Sequence, residues 1–339
     1  MTKMLAQPGR DAVAVQRPCP DVTAIVPAFN AERFLAACLS GLFSAGFSPD
    51  DIIVVDDGST DATTDIAAQH QVRLIAQSEQ IGAAAARNAG ARAAATPIIL
   101  FVDADVVVHR NVKSVISDFF RDHPDHDAVF GVYDDAPAEP GSISRIRNLL
   151  HRHVHMQNAG AASTFWSGCG AIRKRAFDDV GGFDPDHRMM EDVALGMSLA
   201  GCGKRIRLLP DLQGKHLKAW TLRGMARTDL LDRAIPWARL LKEAAGAGSG
   251  PGLNINPTSY ASVLLVALSL TGLVTLVLLP WVGLTIIGLS LVLLAIVNAQ
   301  FLGRLAREGR MSDPLVAIPV LWVHYFCGGL GFAWVRTFG

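Results

Sequence analysis

The sequence predicts an α/β fold with a mainly parallel sheet and flanking helices, followed by α-helical transmembrane segments. Two observations carry this prediction. Short β-branched runs alternate with helical stretches between residues 22 and 102, which is the pattern of a parallel sheet. Charged side chains are then absent between Glu243 and Arg304, and again between Asp313 and Arg336, as expected where helices cross a lipid bilayer.

Strands and helices alternate in the amino-terminal part of the chain. Each predicted strand is a short run rich in Val and Ile, and each predicted helix shows apolar residues at helical spacing. Ligands of parallel sheets gather at the carboxyl ends of the strands, so residues that follow a strand are the candidate site residues. The predicted strands are residues 22–26, 51–55, 72–76 and 98–102, and the predicted helices are 31–45, a stretch that ends at Gln69, and 83–95.

The charge balance argues against a nucleic-acid partner. The 339 residues include 31 basic and 31 acidic side chains, and no stripe of aromatic and basic residues is present to stack on bases. The five cysteines are scattered without a C-x-x-C pair, so neither a disulfide framework nor a zinc site is indicated. This cysteine pattern fits a reducing compartment best.

Two acids, Asp103 and Asp105, follow the fourth predicted strand with one small residue between them. Carboxylates placed in this way can reach one cation, and Mg²⁺ or Mn²⁺ takes such hard oxygen ligands. A cation held there would bind phosphates. The alternative is an ordinary Asp-rich turn, because D-x-D is a common tripeptide.

A second acidic pair, Asp56 and Asp57, follows the second predicted strand. Ser59 or Thr60 can cap the next helix, which explains the hydroxyl groups of this turn. The consecutive acids are explained less well, since like charges at the mouth of a parallel sheet repel each other unless they bind something. Arg87, near the start of the third predicted helix, would point towards the same edge and could meet a phosphate there.

The chain resembles the family 2 glycosyltransferases with the GT-A fold, which is Rossmann-like. The resemblance covers residues 22–237. Its amino-terminal half is carried by VTAIVPAFNAERFLAACLSGL, IIVVDDGSTDATTDIA and IGAAAARNAGARAAATPIILFVDADV, and its acceptor half by FWSGCGAIRKRAFDDVGGFDPDHRMMEDVALGMSLAGCGKRIRLLP. What the family implies is transfer of a sugar from a nucleotide-sugar donor, with inversion at the anomeric carbon.

The resemblance also implies roles for individual residues. Asp57 would bind the donor base with Asp56 beside it, and Arg87 would lie near the nucleotide. Asp103 and Asp105 would hold the divalent cation, Mg²⁺ or Mn²⁺, and the diphosphate. The donor site would further include Pro27, in the loop after the first strand, and Gly168, in the run Gly168-Cys169-Gly170.

The catalytic base implied by the resemblance is Asp192, with Glu191 beside it in an acidic pair. An attacking hydroxyl group must lose its proton as it forms a bond, so a carboxylate within hydrogen-bond reach is required. A flexible Gly181-Gly182 turn precedes the pair, and a helix is predicted to begin just after it. The alternative is an acidic first turn of a helix, which the helix dipole favours.

Two groups of histidines bear on the predicted metal site. His216 follows a predicted strand, 205–209, after a short loop through Gly214. Related enzymes often place a histidine near the metal there, so His216 is a candidate third metal ligand, although a lone histidine is more often structural. The alternating His151, His153 and His155 do not share the H-x-x-x-H spacing of a metal site, so we expect a polar surface or an acceptor-side segment.

The carboxyl-terminal part is predicted to be embedded in a membrane, with about 20 apolar residues in each span. Arg304, Arg307 and Arg310 lie between the second and third spans, and basic short loops stay in the cytoplasm. We therefore expect an integral membrane protein with its catalytic domain on the cytoplasmic face of the inner or plasma membrane. The predicted segments are a loose tail 1–20, the catalytic domain 21–216, amphipathic interfacial helices 217–243, a linker 244–258, spans 259–279, 281–302 and 314–335, and a basic loop 303–313.

The expected acceptor is lipid-linked or bound to the membrane. Residues 217–243 carry several basic side chains with Trp220 and Trp237, as in helices that lie among lipid headgroups. Processive membrane synthases resembling this family carry a Q-x-x-R-W signature, whereas here Pro236 precedes Trp237 and no Gln is in register. We therefore expect transfer of a single sugar. A small processive polysaccharide synthase and a catalytically inert nucleotide- or lipid-binding scaffold are the alternatives.

Overall fold

A computed structural model describes residues 21–246, 257–308, 310 and 312–338. The predicted tail 1–20 and residues 247–256 of the predicted linker lie outside the described residues. The described part contains a nine-stranded sheet in the order β3-β2-β1-β4-β8-β6-β9-β5, with β7 paired to β9. Its strands are β1 (Val22–Ala28), β2 (Ile52–Asp56), β3 (Arg73–Ala76), β4 (Ile98–Val102), β5 (Val106–Val108), β6 (Ala128–Tyr133), β7 (Gly160–Ala162), β8 (Cys169–Arg173) and β9 (Ile206–His216).

The first half of this sheet is parallel, as the alternating pattern predicts. β1 pairs in parallel with both β2 and β4, and β2 pairs in parallel with β3. The carboxyl ends of β2 and β4 therefore meet at one edge of the sheet. Between the strands lie the helices α1 (Leu35–Ser44), α2 (Thr63–Gln69) and α3 (Ala83–Ala93), and a 3₁₀ turn, Pro49–Asp51, precedes β2.

The second half of the sheet is mixed, because β8 lies antiparallel between β4 and β6. β6 then pairs in parallel with β9, and β5 closes the edge antiparallel to β9. These strands are connected through α4 (Val112–Asp122), α5 (Ser142–Gln157), α6 (Lys174–Asp179) and α7 (Glu191–Gly201).

The predicted end of the last strand at residue 209, followed by a loop, is wrong. β9 runs without interruption to His216, although its register with β6 shifts between Phe130 and Val132. Gly131 permits this shift, since a Cβ atom there would lie 1.8 Å from the carbonyl oxygen of Leu212. An irregular stretch of strand therefore accounts for the polar residues that suggested a loop.

Both faces of the sheet are buried, as in other α/β folds. One face packs Leu35, Leu39 and Leu42 of α1 against the strands. The other face holds fully buried phenylalanines, with Phe101 and Phe183 in edge-to-face contact at 5.0 Å between ring centroids. This packing gives the sheet edge a rigid support.

A mostly helical region follows the sheet. It begins with α8 (Leu222–Arg227), a π-helix Thr228–Ala234 and α9 (Ile235–Gly246), which follow one another directly. Among the described residues, three helices are long and apolar enough to cross a membrane: α10 (Pro257–Leu278), α11 (Pro280–Val297) and α13 (Asp313–Phe338), with mean hydropathies of 2.4, 2.3 and 1.7. Large apolar side chains are exposed on them, including Trp281, which is 83% exposed.

The predicted second span 281–302 and basic loop 303–313 need correction. α11 ends at Val297, and α12 (Ala299–Glu308) is a separate helix that contains Arg304 and Arg307. The break lies at Asn298, whose buried side chain donates hydrogen bonds to Ser262 Oγ at 3.0 Å and to the Leu294 carbonyl at 2.9 Å. A polar residue that makes these bonds ends the helix inside the apolar run.

Two buried ion pairs join α5 to the helical region. Arg145 donates to Asp313, the first residue of α13, at 2.6 and 3.1 Å. Arg147 donates to Asp229 of the π-helix at 3.1 Å, and His324 of α13 lies 2.8 Å from the same carboxylate. The sheet domain and α13 are therefore connected by charged contacts as well as apolar ones.

Candidate active site

The acidic residues expected at the sheet edge lie there. Asp103 follows β4 directly, and its backbone N–H donates to the carbonyl of Gly168 at 3.3 Å. Asp56 is the last residue of β2, and Asp57 donates its backbone N–H to Ala28 at the end of β1. The parallel pairing of three strands thus brings these acids to one edge.

Arg87 is the centre of this edge. It lies on α3, is 4% exposed, and donates to Asp103 Oδ1 at 2.7 Å and to Glu191 Oε1 at 2.5 Å. Burial lowers the pKa of Arg87, but the charges of Asp103 and Glu191 raise it above its ordinary value. The guanidinium therefore stays charged and holds together the end of β4 and the start of α7.

Asp192 occupies the first turn of α7 beside this ion-pair network. Its Oδ2 accepts from the backbone N–H of Ser167 at 3.2 Å, and its Oδ1 accepts from the N–H of Val193 at 2.8 Å. Burial raises the pKa of Asp192 to about 6, and the charge of Glu191 adds to that effect. A carboxylate with such a pKa can accept a proton near neutral pH.

Asp105 lies next to His216, the last residue of β9. The Nε2 atom of His216 is 3.4 Å from Asp105 Oδ2, and its Nδ1 is 2.8 Å from Asn148 Oδ1. Because an amide oxygen can only accept, Nδ1 carries the proton and Nε2 presents a lone pair towards Asp105.

The DDGS turn is close to the start of α3. Both carboxylate oxygens of Asp57 accept backbone N–H groups, from Ile81 at 2.8 Å and Gly82 at 2.9 Å. Asp56 accepts from Ser59 N–H at 3.2 Å through Oδ2, while its buried Oδ1 has no hydrogen-bond partner in the part of the chain that the structure describes. This turn therefore combines a structural carboxylate with one free buried oxygen.

The expected loop position of Pro27 is wrong, while Gly168 lies directly before β8. Pro27 lies inside β1, opposite Val55, and not in the loop that was predicted to begin there, because β1 extends to Ala28. A Cβ atom on Gly168 would come within 2.4 Å of the Trp166 indole. Glycine is therefore required at this position by the neighbouring ring.

The three alternating histidines of α5 do not form the predicted polar surface. His153 and His155 are buried, and His155 Nδ1 lies 3.1 Å from the Gly131 carbonyl. The ring of His151 lies 4.0 Å from that of His155 and 5.1 Å from that of Trp166. Burial lowers the pKa of His155 to about 4, so it is neutral at physiological pH. His151 and His155 pack between α5 and the sheet, whereas His153 packs on Phe301 of α12, with 5.4 Å between ring centroids.

Four residues near the site were not singled out from the sequence: Tyr133, Asn148, Trp166 and Ser167. Tyr133 stacks on His216 at 4.6 Å and makes an edge-to-face contact with Trp166 at 4.9 Å. Trp166 and Ser167 lie in the FWSGCG part of the acceptor-half run, directly before β8, and this run was the available signal. No local pattern marks Asn148, which lies within a helix.

Comparison with known proteins relates the sheet domain to a family. Residues 23–181 match the family described as "Glycosyl transferase family 2". Glycosyltransferase GlyG of Streptococcus pneumoniae is 31% identical over 117 residues, which are 33% of this chain and 38% of that protein. Poly-beta-1,6-N-acetyl-D-glucosamine synthase of Staphylococcus aureus is 26% identical over 213 residues, 60% of this chain and 52% of that protein.

The extent of these similarities is limited. The first two curated relatives are matched over only 13% and 38% of their own lengths. Among solved structures, mannosyltransferase PcManGT from Pyrobaculum calidifontis, in complex with GDP-Man and Mn²⁺, is similar with a TM-score of 0.55 at 18% identity, over 93% of this chain and 87% of that one. This similarity confirms the predicted fold class.

Proposed function

Since residues 23–181 form a glycosyltransferase family 2 domain, we propose that the chain transfers a sugar from a nucleotide-sugar donor to an acceptor hydroxyl group, with inversion at the anomeric carbon. The convergence of Asp103, Arg87 and Glu191 beside Asp192 carries this proposal. In support, the candidate base lies beside Asp103, a carboxylate that could help to hold a divalent cation and, through that cation, a diphosphate.

The reaction has one bond-forming and one bond-breaking event at the same carbon. The acceptor oxygen bonds to the anomeric carbon while the bond from that carbon to the diphosphate oxygen breaks. Asp192 takes the proton of the attacking hydroxyl group, and the nucleoside diphosphate leaves with the electron pair of the broken bond. The hydrogen bonds from Ser167 and Val193 hold the Asp192 carboxylate in position for this transfer.

The types of donor around Asp105 suit a divalent cation: His216 Nε2 lies 3.4 Å from Asp105 Oδ2, while Asp103 is bonded to Arg87 through Oδ1. Two carboxylates and one imidazole are donors of the kind that Mn²⁺ and Mg²⁺ accept. Asn148 fixes the tautomer of His216 so that Nε2 is free to bind a metal, a common arrangement around metal-ligating histidines. When bound, the cation would neutralise charge that develops on the leaving diphosphate.

The donor nucleotide would lie along the edge formed by the ends of β1, β2 and β4. Asp57 holds the turn before α3, while the unpartnered Oδ1 of Asp56 is available to accept a hydrogen bond from a ligand. The proposed donor is a nucleoside diphosphate sugar.

The acceptor is proposed to be lipid-linked or membrane-bound. Three helices long and apolar enough to span a bilayer follow the sheet domain, and α5 is joined to one of them by ion pairs. Arg304 and Arg307 on α12 favour a cytoplasmic position for the segment between the second and third spans. The sheet domain would then work on the cytoplasmic face.

A small processive polysaccharide synthase is the second candidate. The similarity to a poly-beta-1,6-N-acetyl-D-glucosamine synthase, over 60% of this chain, favours it. Product length separates the two functions: a single-sugar transferase gives one product, whereas a synthase gives a ladder of lengths from one acceptor.

The test is thermal stabilisation of the detergent-purified full chain by a panel of nucleotide-sugars, with and without Mn²⁺. One donor should raise the melting temperature only with Mn²⁺, because a ligand that binds the folded state stabilises it by about 2.7 kcal/mol at a concentration of 100 Kd. Asp105→Ala should abolish this shift, while Asp118→Ala, an exposed acid on α4, should retain it.

Two results would contradict the proposal. If no donor stabilises a protein shown to be folded, the inert scaffold becomes the better explanation. If turnover is undiminished by a chelator, the metal is not part of the reaction.

A further inference from the structure

A group of basic and aromatic residues lies where α5, the segment after β9 and the π-helix meet. It consists of Arg147, Lys218, Trp220 and Arg233, and we call it the cationic junction. The guanidinium of Arg147 lies 5.5 Å from the Trp220 ring centroid, and the Lys218 ammonium lies 4.7 Å from the same ring. One indole is therefore in contact with two cations.

Among these cations of the described chain only Arg147 forms an ion pair, although the Asp229 carboxylate also attracts the charge of Arg233. Arg147 is 5% exposed and is paired with Asp229, whose carboxylate also accepts from His324. Arg233 and Lys218 make no ion pair among the described residues, although Arg233 is half-buried. Asp232 precedes Arg233, but consecutive residues of a helix point in different directions. The junction therefore carries an excess of positive charge.

The positive charge of Arg233 acts on the paired Arg147. Burial lowers the pKa of Arg147 to about 10, and the positive charge of Arg233 is the next largest contribution. Arg233 lies one turn after Asp229 on the π-helix, so the two guanidinium groups share one carboxylate, and an anion beside them would reduce their mutual repulsion.

Trp220 supplies a second observation that points to a ligand. Its indole Nε1 is buried and has no hydrogen-bond acceptor in the described ranges, whereas buried polar groups are almost always satisfied. Its backbone is fixed, because its N–H donates to Ser144 Oγ at 2.8 Å. An N–H donor with nothing to bind thus stands beside the unpaired ammonium of Lys218 and the paired guanidinium of Arg147.

The position of the junction indicates what the anion is attached to. On one side, the Trp220 ring centroid is 6.5 Å from that of His216, beside Asp105. On the other side, α13 contributes His324, and a Cβ atom on its Gly331 would lie 2.6 Å from Ala234 Cβ of the π-helix. An anion in the junction would lie between the candidate metal ligands and an apolar helix.

We propose that the cationic junction binds a phosphate group carried on the apolar chain of a lipid acceptor, with Arg233 and Lys218 as charged partners and Trp220 Nε1–H as a donor. This inference rests on the proposed function for its acceptor. It assigns the two phosphate-bearing substrates to different groups. The donor diphosphate would bind the cation held by Asp103, Asp105 and His216, and the acceptor phosphate would bind the cationic junction.

The experiment measures binding of a polyprenyl monophosphate to the purified full chain in detergent, with no donor or metal present. The uncharged polyprenol and inorganic phosphate serve as separate probes. The wild type should bind the lipid phosphate at least tenfold more tightly than either probe. Arg233→Gln should remove most of that preference, Arg233→Lys should restore part of it, and Trp220→Phe should weaken binding several-fold.

The matched control is Arg239→Gln, which removes an exposed positive charge from α9 and should bind as the wild type does. Equal loss in Arg239→Gln, or no loss in Arg233→Gln, would overturn the proposal. Inorganic phosphate bound as tightly as the lipid would also overturn it, because the apolar chain would then play no part.

Donor binding is measured separately, by the Mn²⁺-dependent thermal shift. If Arg233→Gln abolishes the donor shift and leaves lipid binding intact, Arg233 belongs to the donor site and the inference fails. If the wild type binds lipid phosphate but no donor, the proposed function fails while the phosphate site remains.

Discussion

The residue on which the candidate site depends most is Arg87. It neutralises two carboxylates, Asp103 and Glu191, that are separated by almost 90 residues of sequence and would repel each other without it. Removal of one partner from a buried charge network is costly because the remaining charges are left unpaired. Arg87 therefore stabilises the fold as well as the arrangement of the site.

We expect Arg87→Gln to lower the free energy of unfolding by about 2–3 kcal/mol. This is less than for a fully buried network, because the Asp103 side chain is 32% exposed and partly solvated. Denaturant unfolding would measure the change. Arg92→Gln, an exposed arginine on the same helix, is the control, with an expected change within about 0.5 kcal/mol. Equal stabilities of the two variants would contradict a central role for Arg87.

A second prediction at this scale concerns Asp192. A general base must be deprotonated, and its pKa is about 6, so kcat/KM should fall as the pH is lowered through that value and level off above it. Asp192→Asn should reduce turnover by about 10²–10⁴-fold and leave donor binding nearly unchanged. A pH–rate profile and a donor titration would measure the two effects. Loss of donor affinity instead would assign Asp192 a binding role.

Individual residues show how far sequence reasoning reached the site. Asp56, Asp103 and Asp105 could be placed at one edge because they follow strands of a predictable parallel sheet. The partners of Arg87 could not be predicted, since they depend on how α3 and α7 approach each other. The same holds for Asn148, which meets His216 only because α5 packs beside the end of β9.

At the scale of the element, the position of α7 depends on one glycine. A Cβ atom on Gly196 would lie 2.2 Å from the backbone nitrogen of Phe165 and 2.3 Å from the carbonyl carbon of Thr164. The helix can therefore approach the segment 164–167 only if this residue has no side chain. That approach brings Asp192 to the Ser167 N–H.

Gly196→Ala should displace α7 and destabilise the protein by about 1–3 kcal/mol, the usual cost of overpacking. Turnover of the folded enzyme should fall more than the loss of folded protein accounts for, because the Asp192 carboxylate loses its alignment. Gly201→Ala is the matched control, since it adds a methyl group to the same helix with no atom within 4 Å. Thermal unfolding and turnover would be measured for both variants. A fully active Gly196→Ala enzyme would show that the close contact is not needed.

Elements differed in how well they could be predicted. Both ends of each of the first four strands could be predicted to within two residues, because β-branched runs and turns mark them clearly. The continuation of β9 to His216 was missed, because its irregular pairing with β6 is accommodated by Gly131, a residue about 80 positions away. The separate helix α12 was missed because Asn298 interrupts an otherwise uniform apolar run.

At the scale of the whole molecule, the predicted arrangement of spans can be tested directly. With the sheet domain in the cytoplasm, three spans place the carboxyl terminus on the outer side. A reporter that is active only outside the cytoplasm should therefore be active when fused after Gly339 and inactive when fused after Glu308, at the end of α12. A cytoplasmic signal from the terminal fusion would mean that α13 does not cross.

The two ion pairs from α5 to the helical region have a consequence for how substrates arrive. They reach α13 at Asp313 and at His324, the latter through Asp229, so one helix is held at two points about 16 Å apart along its axis. An element attached at two such points cannot pivot freely. The proposed catalytic edge would then stay at a constant height above the bilayer, and lipid acceptors would reach it by lateral diffusion, a search in two dimensions.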